Sequence, residues 1–326
     1  MTGSGLRRPV PMTAAERQAK MLRTAMGPTI AGALEDPNVV EVLLNPDGSL
    51  WLDKLRGGRE RTGERLSPED AERIIRLVAG HLRLEVHGGA PVVSAELPET
   101  GERFEGVLPP VTRAPAFAIR KRAAGVIPLD RYVADSVITQ EQADVLRAAV
   151  LDRKNILIAG GTSSGKTTLA NALLQVMAET GDRVILLEDT IELQCQSDDH
   201  IALRTRLGTA TLADLVRSVL RLRPDRIVVG EVRGGEALDL LKAWGTGHSG
   251  GIATIHAGSV AGALARLEQL ILEVVVTVPQ ALIAEAVDVV VYIEGRGAAR
   301  RIREIAQITG LADRCYKIKP IGHDHV

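Results

Sequence analysis

Eight consecutive residues, Gly160-Gly161-Thr162-Ser163-Ser164-Gly165-Lys166-Thr167, limit what this chain can fold into more than any other feature. They fill the P-loop pattern G-x-x-x-x-G-K-[ST] at every fixed position, and that pattern needs a strand before it and a helix after it. Both are legible. Asn155 to Ala159 is a short apolar run that reads as a buried strand, and Leu169, Ala172, Leu173, Val176 and Met177 recur at the spacing of an amphipathic helix. The glycines let backbone N–H groups curl around phosphates, and the helix N-terminus adds the positive end of its dipole. Lys166 is expected on the β- and γ-phosphates and the Thr167 hydroxyl on Mg²⁺. The expected contact set for the nucleotide, taken as ATP, is Gly160, Gly161, Thr162, Ser163, Ser164, Gly165, Lys166, Thr167 and Thr168.

Two further strands end in carboxylates. Arg183 to Leu187 runs into Glu188-Asp189, with Glu192 just beyond, and Arg226 to Val229 runs into Gly230-Glu231. In open α/β sheets, functional groups sit at such C-terminal strand ends. Acidic residues there can hold Mg²⁺ and orient or deprotonate an attacking water. Glu231 and Glu188 are both candidates for the base, with Glu231 favoured, and Thr167, Asp189 and Glu231 are the expected metal set. Past them, Gly245 to Gly251 reads as a loop able to change conformation, followed by an apolar run ending in His256. His256 could sense a γ-phosphate or satisfy a buried carbonyl, and with His248 it forms no metal signature.

Composition excludes several classes. Lys and Arg total 40 against 41 Asp and Glu, so no overall field favours nucleic acid, and aromatics at 2% leave little for stacking bases. Cys195 and Cys315 have no zinc or disulfide-framework spacing. No apolar run has the length of a membrane span and no signal peptide is visible, so a cytoplasmic protein is expected.

The first ~130 residues read as a smaller α+β unit. Val39 to Leu44 and Leu50 to Leu52 flank a turn at Asn45 to Gly48. Ser67 caps a helix with the buried stripe Ala71, Ile74, Ile75, Val78 and Leu82, and Arg103 to Leu108 and Ala116 to Arg120 are further strands. Thr139 with Gln142, and Thr211 with Asp214, open later helices, the second with the stripe Leu212, Leu215, Val216, Val219 and Leu220. The expected division is a tail over 1–20, an α+β domain over 21–122, a linker over 123–135 and an α/β domain over 136–326.

Taken together, these segments resemble the four boxes of the secretion or traffic ATPases. They are the P-loop, Leu187 to Leu193 (Asp box), Arg223 to Arg233 (Walker B) and Thr246 to Ala257 (His box). Gly101 to Phe104 with Pro109-Pro110, Ala286 to Val291, and Arg301 to Ile305 extend the likeness to nearly the whole chain. The short length and missing tetracysteine motif point to the type IV secretion and conjugal-transfer (TrbB-like) branch. The resemblance implies a RecA-like P-loop ATPase domain preceded by a PAS-like domain. It also implies a homohexameric ring in the cytoplasm that docks on inner-membrane components of a secretion or conjugation channel and hydrolyses ATP to drive pilus assembly or substrate transfer. It further implies that the N-terminal domain brings arginines to the phosphates, with Arg120 and Arg122 foremost and Arg103 or Arg113 as further candidates. A pilus-assembly or retraction ATPase shares these boxes, and a nucleic-acid translocase could use the same core. Sequence-specific nucleic-acid binding is not expected.

Overall fold

The computed structural model describes residues 13–321, except 56, 99, 123, 124 and 207. The first twelve residues of the expected tail, and Ala123 at the start of the expected linker, therefore lie outside the described residues. The chain forms two compact units, Met1–Ala124 and Gly125–Val326.

The first unit opens with helix α1, Ala14–Glu35, although the sequence reading left its beginning in an unsupported tail. Thr13 and Glu16 form a reciprocal capping box that starts it. The backbone leaves helical geometry at Gly27 (φ 70°), ahead of Pro28, whose missing N–H cannot continue the ladder. Strands β1 (Val39–Leu44), β2 (Ser49–Lys54) and β3 (Gly58–Arg65) follow, then helix α2 (Pro68–His81) and strands β4 (Val92–Glu96), β5 (Arg103–Val107) and β6 (Ala116–Arg120). The strands form an antiparallel sheet in the order β3-β2-β1-β6-β5-β4. Its first hairpin turns on Gly48 (φ 80°), where a Cβ would lie 2.6 Å from the Leu66 carbonyl oxygen. Ala71, Ile74, Ile75 and Val78 of α2 are buried with Leu22, Ile30, Val42, Phe104 and Ile119. Complete burial of Ile74 and Ile75 stabilises the unit by roughly 1.5–3 kcal/mol each. Leu82, expected in the same stripe, is exposed because the helix ends at His81.

In the second unit, part of the expected linker is helical: α3 spans Leu129–Ala134 and buries Leu129 and Tyr132 in this unit's own core. There follow α4 (Gln140–Leu151), β7 (Ile156–Gly160), α5 (Lys166–Met177), β8 (Val184–Glu188), β9 (His200–Arg204), α6 (Leu212–Val219), β10 (Arg226–Val232) and α7 (Glu236–Gly245). The chain closes with β11 (Ile252–His256), α8 (Val260–Ile271), α9 (Gln280–Ala286), β12 (Val289–Glu294), β13 (Arg301–Ala312) and β14 (Cys315–Ile321). The sheet order is β14-β13-β12-β7-β11-β10-β8-β9, parallel from β12 to β9, with β13 and β14 added as an antiparallel edge. Alternate residues feed two cores. Leu157, Ile185 and Ile227 face one, and Ile156, Ile158 and Val184 face the other. Burial on both sides is why these strands read as unbroken apolar runs. The capping boxes at Thr139 and Thr211 both form, but Leu220 lies past the end of α6 and is exposed.

The Gly245 to Gly251 loop differs from expectation. It sits at the N-terminal ends of the strands, opposite the P-loop end, and is tied down. Asn155 Oδ1 accepts from Gly250 N at 2.8 Å and Gly251 N at 3.0 Å, and His248 Nδ1 lies 3.0 Å from the Pro224 carbonyl oxygen. The Arg226 guanidinium, almost fully buried, donates to Asp182 at 2.6 Å and to the Val150 and Gly250 carbonyls. A Cβ on Gly251 would fall 2.1 Å from Trp244 Nε1 and 2.4 Å from the Ile227 oxygen. Close packing is what requires glycine at Gly250 and Gly251.

Candidate functional site

β7 delivers the P-loop between two parallel neighbours: Gly160 is in register with His256 of β11 and with Ile293 of β12. A Cβ on Gly160 would stand 2.5 Å from both the Ile293 oxygen and Ser164 Oγ, so the loop can only leave the strand here through glycine. Ser163 (φ 61°) and Gly165 (φ 98°) are both left-handed and bracket the buried Ser164. Turns of this kind gather successive N–H groups into an anion-binding concavity. Gly165 then caps α5 without any side-chain hydrogen bond. The first-turn N–H groups, including those of Thr167 and Thr168, thus depend on something other than a side-chain cap. Lys166, 7% exposed, donates from Nζ to the Gly161 carbonyl at 3.0 Å. The nine consecutive residues from Gly160 to Thr168 thus form one loop and helix start.

The carboxylates differ in their surroundings. Glu188, at the end of β8, is buried, and its Oε1 accepts from the backbone N–H groups of Glu192 (2.8 Å) and Leu193 (2.7 Å). It braces the Asp-box loop. Asp189 is more open, accepting from Thr205 Oγ1 at 2.9 Å with Arg233 Nη1 3.8 Å away. Glu231 occurs where the β10–β11 register shifts between Val229 and Val232, an irregularity that re-aims a side chain. Gly230 beside it has no room for bulk: a Cβ would be 3.2 Å from Glu188 Cγ, and its carbonyl accepts from Thr254 Oγ1 at 2.6 Å. Glu231 Oε1 lies 2.7 Å from His256 Nε2, while Oε2 accepts from Arg233 Nε at 2.6 Å. His256 is about half exposed at the end of β11 (47%), whereas Glu231 is mostly covered (16%).

The second unit therefore brings Glu231 and His256 together next to the strand that carries the P-loop. Arg120 and Arg122 belong to the first unit and have partners there. Arg120 Nε is 4.0 Å from Glu41 Oε1, and Arg122 Nη2 is 3.5 Å from Glu96 Oε2. Arg103 pairs directly opposite Arg120 on the neighbouring strand. Sequence reasoning missed Arg233, which clamps Glu231 and faces Asp189. Its one signal was closeness in the chain, two residues from Glu231, although Arg233 itself lies just past the end of β10. The hard oxygen donors of Thr167, Asp189 and Glu231 are of the type that suits Mg²⁺.

The profile of a family described as "Type II/IV secretion system protein" matches residues 69–296. A probable conjugal transfer protein TrbB of Sinorhizobium fredii is 48% identical over 305 residues, covering 93% of this chain and 93% of the relative. The type IV secretion system protein PtlH of Bordetella pertussis is 32% identical, covering 85% of this chain and 93% of its own length. Among solved structures, the pilus retraction motor PilT with bound ADP superposes with a TM-score of 0.62 over 87% of this chain and 83% of that one. At 21% identity, that likeness bears on fold alone, and it agrees with a RecA-like α/β unit.

Proposed function

Because this chain belongs to the type II/IV secretion system protein family, we propose that it is the ATPase of a conjugal-transfer or type IV secretion apparatus. It hydrolyses ATP with Mg²⁺ and works as a homohexamer in the cytoplasm, beneath inner-membrane components of the channel. One observation carries the reading: β7 and β11 set Gly160 of the P-loop in register with His256, whose Nε2 is 2.7 Å from Glu231.

Gly160 to Thr168 cradle the phosphates through backbone N–H groups, and Lys166 neutralises their charge. Thr167, Asp189 and Glu231 would hold Mg²⁺, which when bound offsets charge on the phosphate oxygens. Glu231 orients the attacking water and accepts its proton. Arg233, through its hydrogen bond to Oε2, and His256, beside Oε1, keep that carboxylate aimed. Glu188 has a different task here, since its Oε1 already accepts two backbone N–H groups.

His256 reports the γ-phosphate, because an imidazole can donate to an oxygen present only before hydrolysis. His256→Ala should bind ADP normally, turn over about tenfold more slowly, and lose the ATP-dependent change of shape measured by solution scattering. Parent turnover together with a parent-like shape change would make it a structural histidine.

Arg120 and Arg122 supply cations to the phosphates from the first unit. Half-exposed pairs such as Arg120–Glu41 are worth at most about 1 kcal/mol, so exchanging the carboxylate for a phosphate costs little. Arg120→Ala should lower turnover by at least about an order of magnitude without lowering the melting temperature. Wild-type turnover at every ATP concentration would remove it from the site. For the assembly, the test is mass in solution with and without ATP. A sixfold rise over the monomer on adding ATP, or a hexamer throughout, is expected, and a monomer under both conditions contradicts the ring.

A further inference from the structure

The turn between β12 and β13 borders the P-loop from the side opposite the carboxylates. In the sheet β7 lies between β12 and β11, with β10 and β8 beyond β11, so Glu231, His256 and Glu188 all come from one side and this turn from the other. The turn is firmly built. A Cβ on Gly295 would lie 2.1 Å from the Ala299 oxygen, and just beyond the turn Ile302 N donates to the Val137 carbonyl at 2.9 Å.

Arg300, at the end of this turn, lays its guanidinium on the loop. A Cβ on Gly165 would fall 2.8 Å from Arg300 Nε and 2.9 Å from its Cζ. Its Nε is buried with no hydrogen-bond partner among the described residues, as are Tyr132 Oη and Ser164 Oγ. Tyr132 and Ser164 are each only 3% exposed. Burial pushes the Tyr132 hydroxyl far up from its ordinary pKa, and the Arg300 charge opposes that rise, which places the two groups within electrostatic reach. A buried donor left without an acceptor is costly, more so on a charged group. Beside a P-loop, a bound nucleotide is the natural source of the missing acceptor.

We propose that Arg300 is a nucleotide-contact residue whose guanidinium donates to the part of the nucleotide that hydrolysis leaves unchanged, the α-phosphate or the nucleoside. The γ-phosphate belongs with Glu231 and His256 across β7, so a group on the β12 side meets the remaining portion. The contact is then made equally to ATP and ADP. This distinguishes Arg300 from the arginines of the first unit, which act on charge that develops in the reaction. The inference rests on the P-loop being the nucleotide site.

Arg300→Met keeps a long apolar stem against Gly165 and removes the charge. Titrating parent and variant with fluorescent ADP and ATP analogues should show Kd raised about tenfold for both nucleotides, the scale of one charge-assisted hydrogen bond. The KM for ATP should rise in step with these Kd values. Lys166→Ala is the parallel control: if it leaves ADP affinity unchanged, the P-loop reading itself fails. If Lys166→Ala weakens binding while Arg300→Met does not, or weakens ATP alone, the inference about Arg300 is overturned and the reading stands. Should the nucleotide-free Arg300→Met protein melt lower than the parent, Arg300→Lys carries the test. It keeps the stem and charge but loses the planar fork, and a several-fold loss of ADP affinity is expected. Parent-like affinity in that variant overturns the proposal.

Discussion

Replacing Lys166 with Ala is expected to reduce ATP hydrolysis by at least about 10²–10³-fold and to weaken nucleotide binding about tenfold, with the fold intact. The residue begins α5 directly after Gly165, and its Nζ reaches back to the Gly161 carbonyl across the loop. A phosphate chain seated there would replace that carbonyl as the acceptor for the ammonium. Without the ammonium, the charge faces backbone N–H groups alone, and the charge redistributed in the transition state loses its nearest cation. Alanine is the best helix former, so the first turn of α5 does not suffer. Phosphate release and nucleotide titration measure the two effects, and circular dichroism checks the fold. A variant that turns over at near the parent rate would show that this loop is not the catalytic phosphate site.

Glu231→Gln is expected to bind ATP and leave it uncleaved, with turnover down by about 10²–10⁴-fold. Glutamine keeps the size and can still accept from Arg233, but its amide takes no proton from water. Glu188→Gln should be much milder, since an amide oxygen can replace the carboxylate oxygen that accepts from Glu192 and Leu193. Single-turnover measurements separate binding from cleavage in both variants. If Glu188→Gln is the dead enzyme and Glu231→Gln is active, the two carboxylates exchange roles. If both turn over normally, neither is the base.

Much of the second unit was legible because its signals are local. A P-loop with correct flanks, apolar runs buried on both faces and two capping boxes each specify structure within a few residues. Bounded helices were harder. Thr13-x-x-Glu16 is a capping box in plain view, yet Pro28 interrupts the pattern that would have announced α1. α3 is too short for its periodicity to register and starts at Pro128 with no side-chain cap. The Gly245 to Gly251 loop misled for a different reason. Glycine permits motion and close packing equally, and only the contacts with Trp244, Ile227 and Asn155 decide between them. In the site, the identities of Glu231 and His256 were readable, but their meeting was not. It depends on parallel register and on the shift near Val229, both long-range properties of the sheet. Arg300 was hidden among many other arginines because the loop it touches, at Gly165, is far from it in the chain.

The most direct test of the account is phosphate release by the purified chain at saturating ATP, with Mg²⁺ and with a chelator in its place. Steady turnover with Mg²⁺, its loss with the chelator and its loss in Lys166→Ala are predicted. No turnover by the parent chain with Mg²⁺ present, or equal rates for the parent and Lys166→Ala, would contradict it.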